Sequence, residues 1–228
     1  MRQRLGSEER RKAIVEAAMP LFARKGFAGT TTREIARSAG VSEALLFQHF
    51  PSKAALYQAI VALGCEGDPC LEQLAAEPPS TATLVHVTRG MLEHFVLGSL
   101  GDPVERDVQH RLTLNSFLED GGYARHVFDW ADAEVLPIFA ASMAAAERAG
   151  DLVAGAGSCA NRFWFAEHVA AMIAYARLPG SSAVPYQGDV AGLMDEALRF
   201  ILRGFGLTEA AIASHLAERC ETAPAAAV

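Results

Sequence analysis

Apolar residues return every three or four positions along most of the chain, and Gly or Pro interrupts that rhythm at intervals of helix length. Ile14, Ala17, Ala18, Leu21 and Phe22 form one stripe of a first helix, for which Ser7 is the predicted N-cap. Pro20 falls inside that stripe, where it removes a backbone hydrogen bond and predicts a bend in a helix that continues past it. Gly26 and Gly29 bracket the exit. Thr31-x-x-Glu34 has the form of a capping box and opens a second helix over about Thr32 to Ser38. After Gly40, Ser42 caps a third helix over Glu43 to Phe50, which Pro51-Ser52 stops. Ser52 then caps a fourth, predicted to run to about Leu74 before Glu77-Pro78-Pro79-Ser80 breaks the chain. Further helices are predicted near 81–99, 103–119, 123–149, 158–178 and 189–205, with a short one near 208–220 and a frayed end at Ala223 to Val228. No stretch alternates as a strand does and no segment repeats, so the fold class is all-α.

The spacing between residues 31 and 53 is the most specific feature. Small Ala36 and turn-forming Gly40 let two short helices approach, and apolar Ile35, Val41 and Leu46 pin the corner. That is the form of a helix-turn-helix, which lays its second helix in the DNA major groove. Leu46 and Phe50 are assigned to the core of this small domain. The outward residues of 43–48 are left to meet base edges. Gln48 suits adenine, and Ala44 or Leu45 suits a thymine methyl. Glu43 stands equally as an acceptor for a cytosine amino group or as a solvated first-turn charge. With so little direct readout, Arg33 or Arg37 is expected to carry more of the affinity.

The same stretch resembles the N-terminal domain of the TetR family of bacterial transcriptional regulators. Leu21-Phe22-Ala23-Arg24-Lys25-Gly26-Phe27 is close to that family's closing run for the first helix. Thr30-Thr31 with Ile35-Ala36, then Ala39-Gly40-Val41-Ser42, then Leu46-Phe47, His49-Phe50 and Ser52-Lys53 follow its pattern in order. Phe47 departs from it, because the usual tyrosine hydroxyl is missing. The resemblance implies phosphate-clamping roles for Thr31, Thr32, His49 and Lys53, beside the helix N-terminus at Ser42. Beyond residue 60 it extends only to length and helical rhythm. There it implies a four-helix dimer bundle from the helices near 158–178 and 189–205, and a ligand pocket within a variable body.

Charge sharpens this picture. The net charge is −7, yet residues 1–60 hold 10 Lys/Arg against 5 Asp/Glu, while the remainder is strongly acidic. A basic head on an acidic body directs phosphates to one end. Arg2 and Arg4 extend that head as an arm. The expected layout is a three-helix DNA-binding domain over 1–52, joined through the fourth helix to a larger effector-binding and dimerisation domain over 53–228.

The remaining chemistry is thinner. Residues 81–178 are rich in aromatics and histidines, and helical phasing selects Met91, His94, Phe95, His110, Leu114, Phe117, Trp164 and His168 as pocket candidates. His86, Arg89 and Glu93 share a face expected to be solvated. Asp102, Asp107, Glu119 and Asp120 crowd near helix ends and read as capping and solvation. The histidines lack metal-ligand spacing, and Cys65, Cys70, Cys159 and Cys220 show no C-x-x-C pairing. A buried apolar role is the expected use of these thiols, with redox sensing as the alternative. No cofactor motif, nucleophile elbow or phosphate loop is present, so no enzyme activity is expected. No apolar run is long enough for a membrane span and no signal peptide is legible, which predicts a cytoplasmic protein. The expected function is a sequence-specific DNA-binding regulator, a repressor released by a small apolar or aromatic effector. The alternatives are an activator or ligand-free regulator with the same head, and an all-helical binding protein or enzyme that uses the motif only as scaffold.

Overall fold

The structure, a computed structural model, describes residues 6–63, 69–98, 103–153, 155, 157–178 and 181–217. Arg2, Arg4, Cys65, Asp102, Cys220 and the segment 223–228 lie outside the described residues, as does the side chain of Cys70. The helices are α1 (Ser7–Gly29), α2 (Thr32–Ser38), α3 (Glu43–His49), α4 (Lys53–Leu63), α5 (Pro69–Ala76) and α6 (Thr81–Leu97). They are followed by α7 (Pro103–Leu118), α8 (Gly122–Glu134), α9 (Leu136–Ala149), α10 (Cys159–Tyr175), α11 (Val190–Phe205) and α12 (Glu209–Ala217). The chain is all-α. Among the described residues the one β contact is an isolated bridge between Leu152 and Leu207.

Three sequence expectations shift. The cap of α1 is Gly6, whose amide donates to Glu9 at 2.8 Å, so Ser7 is already helical. The predicted fourth helix divides into α4 and α5, with Pro69 at a first-turn position where its missing N–H costs nothing. The single helix predicted over 123–149 is α8 and α9, which break at Val135 ahead of Pro137.

The chain packs as two units, Met1–Gly67 with Pro103–Trp130, and Asp68–Asp102 with Ala131–Val228. This division differs from the expected boundary at residue 52, because α7 packs on α1. The reason lies in a break at the end of α1. Gly26 has φ +68°, so the helix is interrupted there and not at Pro20. A continuing helix would bond the Phe27 amide to the Ala23 carbonyl. Instead, the Phe27 amide donates to Glu119 at 2.9 Å, and the Ala23 carbonyl accepts from Asn115 Nδ2 at 2.8 Å. Both orphaned backbone groups are thus satisfied by α7 and the residue that follows it. Glu119, read from sequence as ordinary solvation, is therefore a structural acceptor for the head. Around this joint Phe22, Phe27 and Tyr57 pack with ring centroids 5.1–6.1 Å apart, and Leu112 and Tyr123 close the core.

The second unit wraps α9, α10, α11 and α12 around α6, its core built on Leu84, Leu92, Val96, Phe139, Phe163, Ile201 and Leu202. Ala166, Ala170 and Ala174, the small-residue stripe of α10, are buried inside this unit. One polar residue stands out among them. Glu167 is 6% exposed and its Oε2 has no hydrogen-bond partner; burial raises its carboxyl to about 7. The raised value means that the fold prefers the protonated form. The cost is absent below the ordinary carboxyl value of 4.5, accrues as pH rises towards about 7, and is constant above that. Glu167→Gln therefore gains stability over the unsubstituted chain by about 3 kcal/mol at pH 8 relative to pH 4.5. Denaturant unfolding of both proteins across that range checks it.

Candidate nucleic-acid interface

Local hydrogen bonding fixes the two helices of the motif. Thr31 Oγ1 accepts from the Glu34 amide at 3.3 Å, and Glu34 returns to the Thr31 amide at 3.2 Å, completing the predicted capping box. Lys25 pairs with Glu34 from α1, and the bonds from Lys25 and Thr31 hold this carboxyl down at about 2. At the end of α2 the Gly40 φ of +66° lets the chain turn sharply, and the Val41 amide reaches back to the Ala36 carbonyl at 2.9 Å. Ser42 then caps α3 by accepting from the Leu45 amide at 3.1 Å.

On α3, Leu46 and Phe50 point into the core as expected, and Glu43, Ala44, Phe47 and Gln48 are exposed. Leu45 and His49 are half-buried. The outward row is therefore Ser42, Glu43, Ala44, Phe47 and Gln48. Thr32 Oγ1 donates to Glu43 Oε2 at 3.2 Å, so this pair ties the start of α2 to the start of α3. Arg33 and Arg37 are exposed on α2.

Lys53 is placed differently from a side chain that only reaches for phosphate. Its Nζ donates to the Phe27 carbonyl at 2.7 Å and the Thr30 carbonyl at 2.9 Å, and sits 4.3 Å over the Phe27 ring. An ammonium has three donors, so one remains after both bonds. The Thr30 bond also brings the Lys53 ammonium to the peptide that joins Thr30 to Thr31. Arg11 is a residue that sequence reasoning missed. Its guanidinium lies 4.3 Å over the Phe50 ring and donates to the His49 carbonyl at 3.0 Å, which pins the far end of α3. A basic residue on the polar side of α1 carries no sequence signal for that contact, which spans 38 positions.

The pocket candidates are not gathered within either unit. Met91, Phe95 and Trp164 are half-buried against the core of the second unit, where His94 and His168 are exposed. His110, Leu114 and Phe117 belong to the first unit: His110 is buried, Leu114 is half-buried, and Phe117 is exposed with its ring 5.8 Å from Phe128. The second unit does contain a groove of about 370 Å³ between α6 and α11. It is lined by Leu92, Leu97, Val190, Met194 and Leu198, with Arg89, Glu93 and Asp195. None of the eight candidates lines it. Arg89 and Glu93, expected on a solvated face, are half-buried there, and Arg89 Nη1 lies 3.8 Å from Asp195 Oδ1. Among the described residues, no helix is long and apolar enough to cross a membrane.

Comparison with known proteins agrees with the geometry of the head. A family model described as bacterial regulatory proteins, tetR family, matches residues 14–60. The HTH-type transcriptional regulator RutR of Escherichia coli (strain K12) is 48% identical over 52 residues, 23% of this chain and 24% of that protein. The uncharacterized HTH-type transcriptional regulator YvkB of Bacillus subtilis (strain 168) is 48% identical over 50 residues, 22% of this chain and 26% of its own length. The matched region thus spans about a quarter of these curated relatives. Over most of the chain the likeness is one of fold. GusR of Salmonella enterica superposes with a TM-score of 0.60 at 20% identity, covering 89% of this chain and 97% of that one. SCO4942 of Streptomyces coelicolor gives a TM-score of 0.61 at 22% identity, covering 87% and 99%.

The depressed Glu34 carboxyl gives the motif a pH signature. A lowered folded value means that the contribution of Glu34 is complete above the ordinary 4.5 and is lost as pH falls towards about 2. Thermal midpoints of the unsubstituted chain and Glu34→Gln therefore differ at neutral pH and converge near pH 2, as a pH series of melts will show.

Proposed function

The chain belongs, through residues 14–60, to the TetR family of bacterial regulatory proteins, and on that footing we propose that it is a homodimeric transcriptional repressor of a near-palindromic operator. A small, largely apolar or aromatic effector taken up by the body releases it. The observation that carries the DNA-binding reading is the rigid corner at Gly40, which leaves one short helix protruding with Glu43, Ala44, Phe47 and Gln48 outward. Thr31, Thr32, Ser42, His49 and Lys53 surround that helix with hydroxyl, imidazole and ammonium groups suited to phosphate oxygens.

One helix of seven residues reads too few base pairs to locate a site, so a symmetric pair is required. The outer faces of α10 and α11 support that pairing. Phe165, Met172 and Phe200 are 66%, 59% and 67% exposed, which is unusual for side chains of this size unless another surface covers them. The groove between α6 and α11 supports a body that accepts small molecules, since its volume lies within the range of such sites. Release requires only that the effector favour the DNA-incompetent form; a tenfold preference is worth about 1.4 kcal/mol per occupied site.

Selecting bound duplexes from a random pool tests the reading. A recovered site with two related half-sites and salt-sensitive affinity is expected, and an absence of salt-sensitive binding at any sequence rejects it. On that site, Gln48→Ala costs about 1–3 kcal/mol and relaxes preference at one position of each half-site. Lys53→Met instead weakens binding at every sequence and flattens the salt slope by about one ion per subunit. The double substitution Phe165→Asp with Phe200→Asp yields a monomer in sedimentation, with operator affinity reduced on the order of a hundredfold or more.

A further inference from the structure

The Glu167 carboxylate is the least explained group in the body. Its helix, α10, places Trp164, Glu167, Ala171 and Tyr175 at offsets of three, four and four residues, so the four share one line along the helix. The neighbours of Glu167 on the buried side of α10 are apolar: Phe163, Ala166, Ala170 and Ala171. Oε2 accepts no hydrogen bond, and His168 Nε2 lies 3.4 Å from it on a side chain that is mostly exposed. The charge of Glu167 is felt as far as Tyr175, whose phenol it helps to raise above the usual range after burial has done most of that work. A leucine or methionine at this position would fill the same space without desolvating a charge. A buried carboxylate oxygen without a hydrogen bond costs stability, and functional sites are among the places where a fold accepts such a cost.

The geometry points to a cation site: we propose that Glu167, flanked along α10 by Trp164 and Tyr175, anchors a basic nitrogen on the effector. This rests on the reading of the body as an effector-binding domain, and it names the chemistry of that effector. The ligand class is an amine or ammonium carrying an apolar or aromatic group. The nitrogen supplies the positive charge and N–H donors that Oε2 lacks, and the two half-buried aromatic side chains offer faces for the adjoining carbon atoms.

The test uses the full chain, 4-phenylbutylammonium and its neutral analogue 4-phenylbutanol, with binding followed by tryptophan fluorescence and calorimetry near neutral pH. The ammonium is expected to bind about tenfold or more tighter than the alcohol, and Glu167→Gln to bring it down to the level of the alcohol without changing the circular dichroism spectrum. Equal binding of the two compounds, failure of the ammonium to bind, or an ammonium affinity unchanged in Glu167→Gln overturns the proposal. Met194→Trp, which fills the groove between α6 and α11, separates this result from the wider reading. If that substitution alone abolishes binding of either compound, the groove is the effector site: the cation site is rejected and the effector-binding body stands. If neither compound binds and a chemically broad library yields nothing that releases the selected duplex, both fall.

Discussion

The break at Gly26 is the constraint on which the DNA-binding end depends. Interrupting α1 there frees the Phe27 and Ala28 amides, and Glu119 takes both, at 2.9 Å and 3.4 Å. The carbonyls of Phe27 and Thr30 are held from the other side by Lys53, and Thr30 Oγ1 closes back on the Gly26 carbonyl at 2.8 Å. Five backbone groups around the break, two amides and three carbonyls, are thereby paired within the protein, which is what lets α2 start at a fixed angle to α1. The position admits only glycine: φ is +68°, and an added Cβ would stand 2.5 Å from Glu119 Oε1. Arg11 performs the same service at the far end of α3. The protruding helix is held at both ends by contacts remote in sequence.

That dependence explains which parts of the molecule were legible in the sequence. The capping box at Thr31 and Glu34, the turn at Gly40 and the cap at Ser42 are made within a few residues of one another, so the local pattern states them completely. Leu46 and Phe50 follow from helical periodicity once α3 is placed. Glu119 was misread because its partners lie some 92 residues away, and an acidic residue after a helix looks the same whether it meets water or a broken helix. Arg89 and Glu93 were misread for a related reason. Their spacing fixes that they share a face of α6, but only the packing of α11 decides that this face lines a groove. The pocket candidates divide between the two units because periodicity sorts residues within one helix and carries no information about which helices share a unit.

The unit boundary bears on how a signal can travel. α7 follows α6 in the chain, yet it packs with α1 and supplies the ligands of the broken α1 exit through Asn115 and Glu119. The head therefore includes a segment, α7 with most of α8, whose chain neighbours on both sides, α6 before it and the end of α8 with α9 after it, belong to the body. A displacement of α7 has to move with it the acceptor for Phe27 and Ala28 or break those bonds. Each broken bond to a charged acceptor costs about 1.5–3 kcal/mol, comparable with the few kcal/mol that a ligand can supply by differential binding. Coupling of that size is enough to change occupancy of a site without unfolding the motif.

The distribution of cost across the two units completes the argument. In the head, every polar contact described at the α1 exit and the two caps is satisfied, and the exposed row on α3 includes one large apolar ring, Phe47 at 44% exposure. On the proposed reading direct base recognition there is sparse, and discrimination comes from fixed geometry multiplied by symmetry. In the body the core is largely apolar, and Glu167 Oε2 and Ser142 Oγ are buried there without a hydrogen bond. Glu167 is a buried acid whose cost a ligand of opposite charge, on the proposed reading, would offset, and a difference in free energy between filled and empty states is what a regulated switch requires.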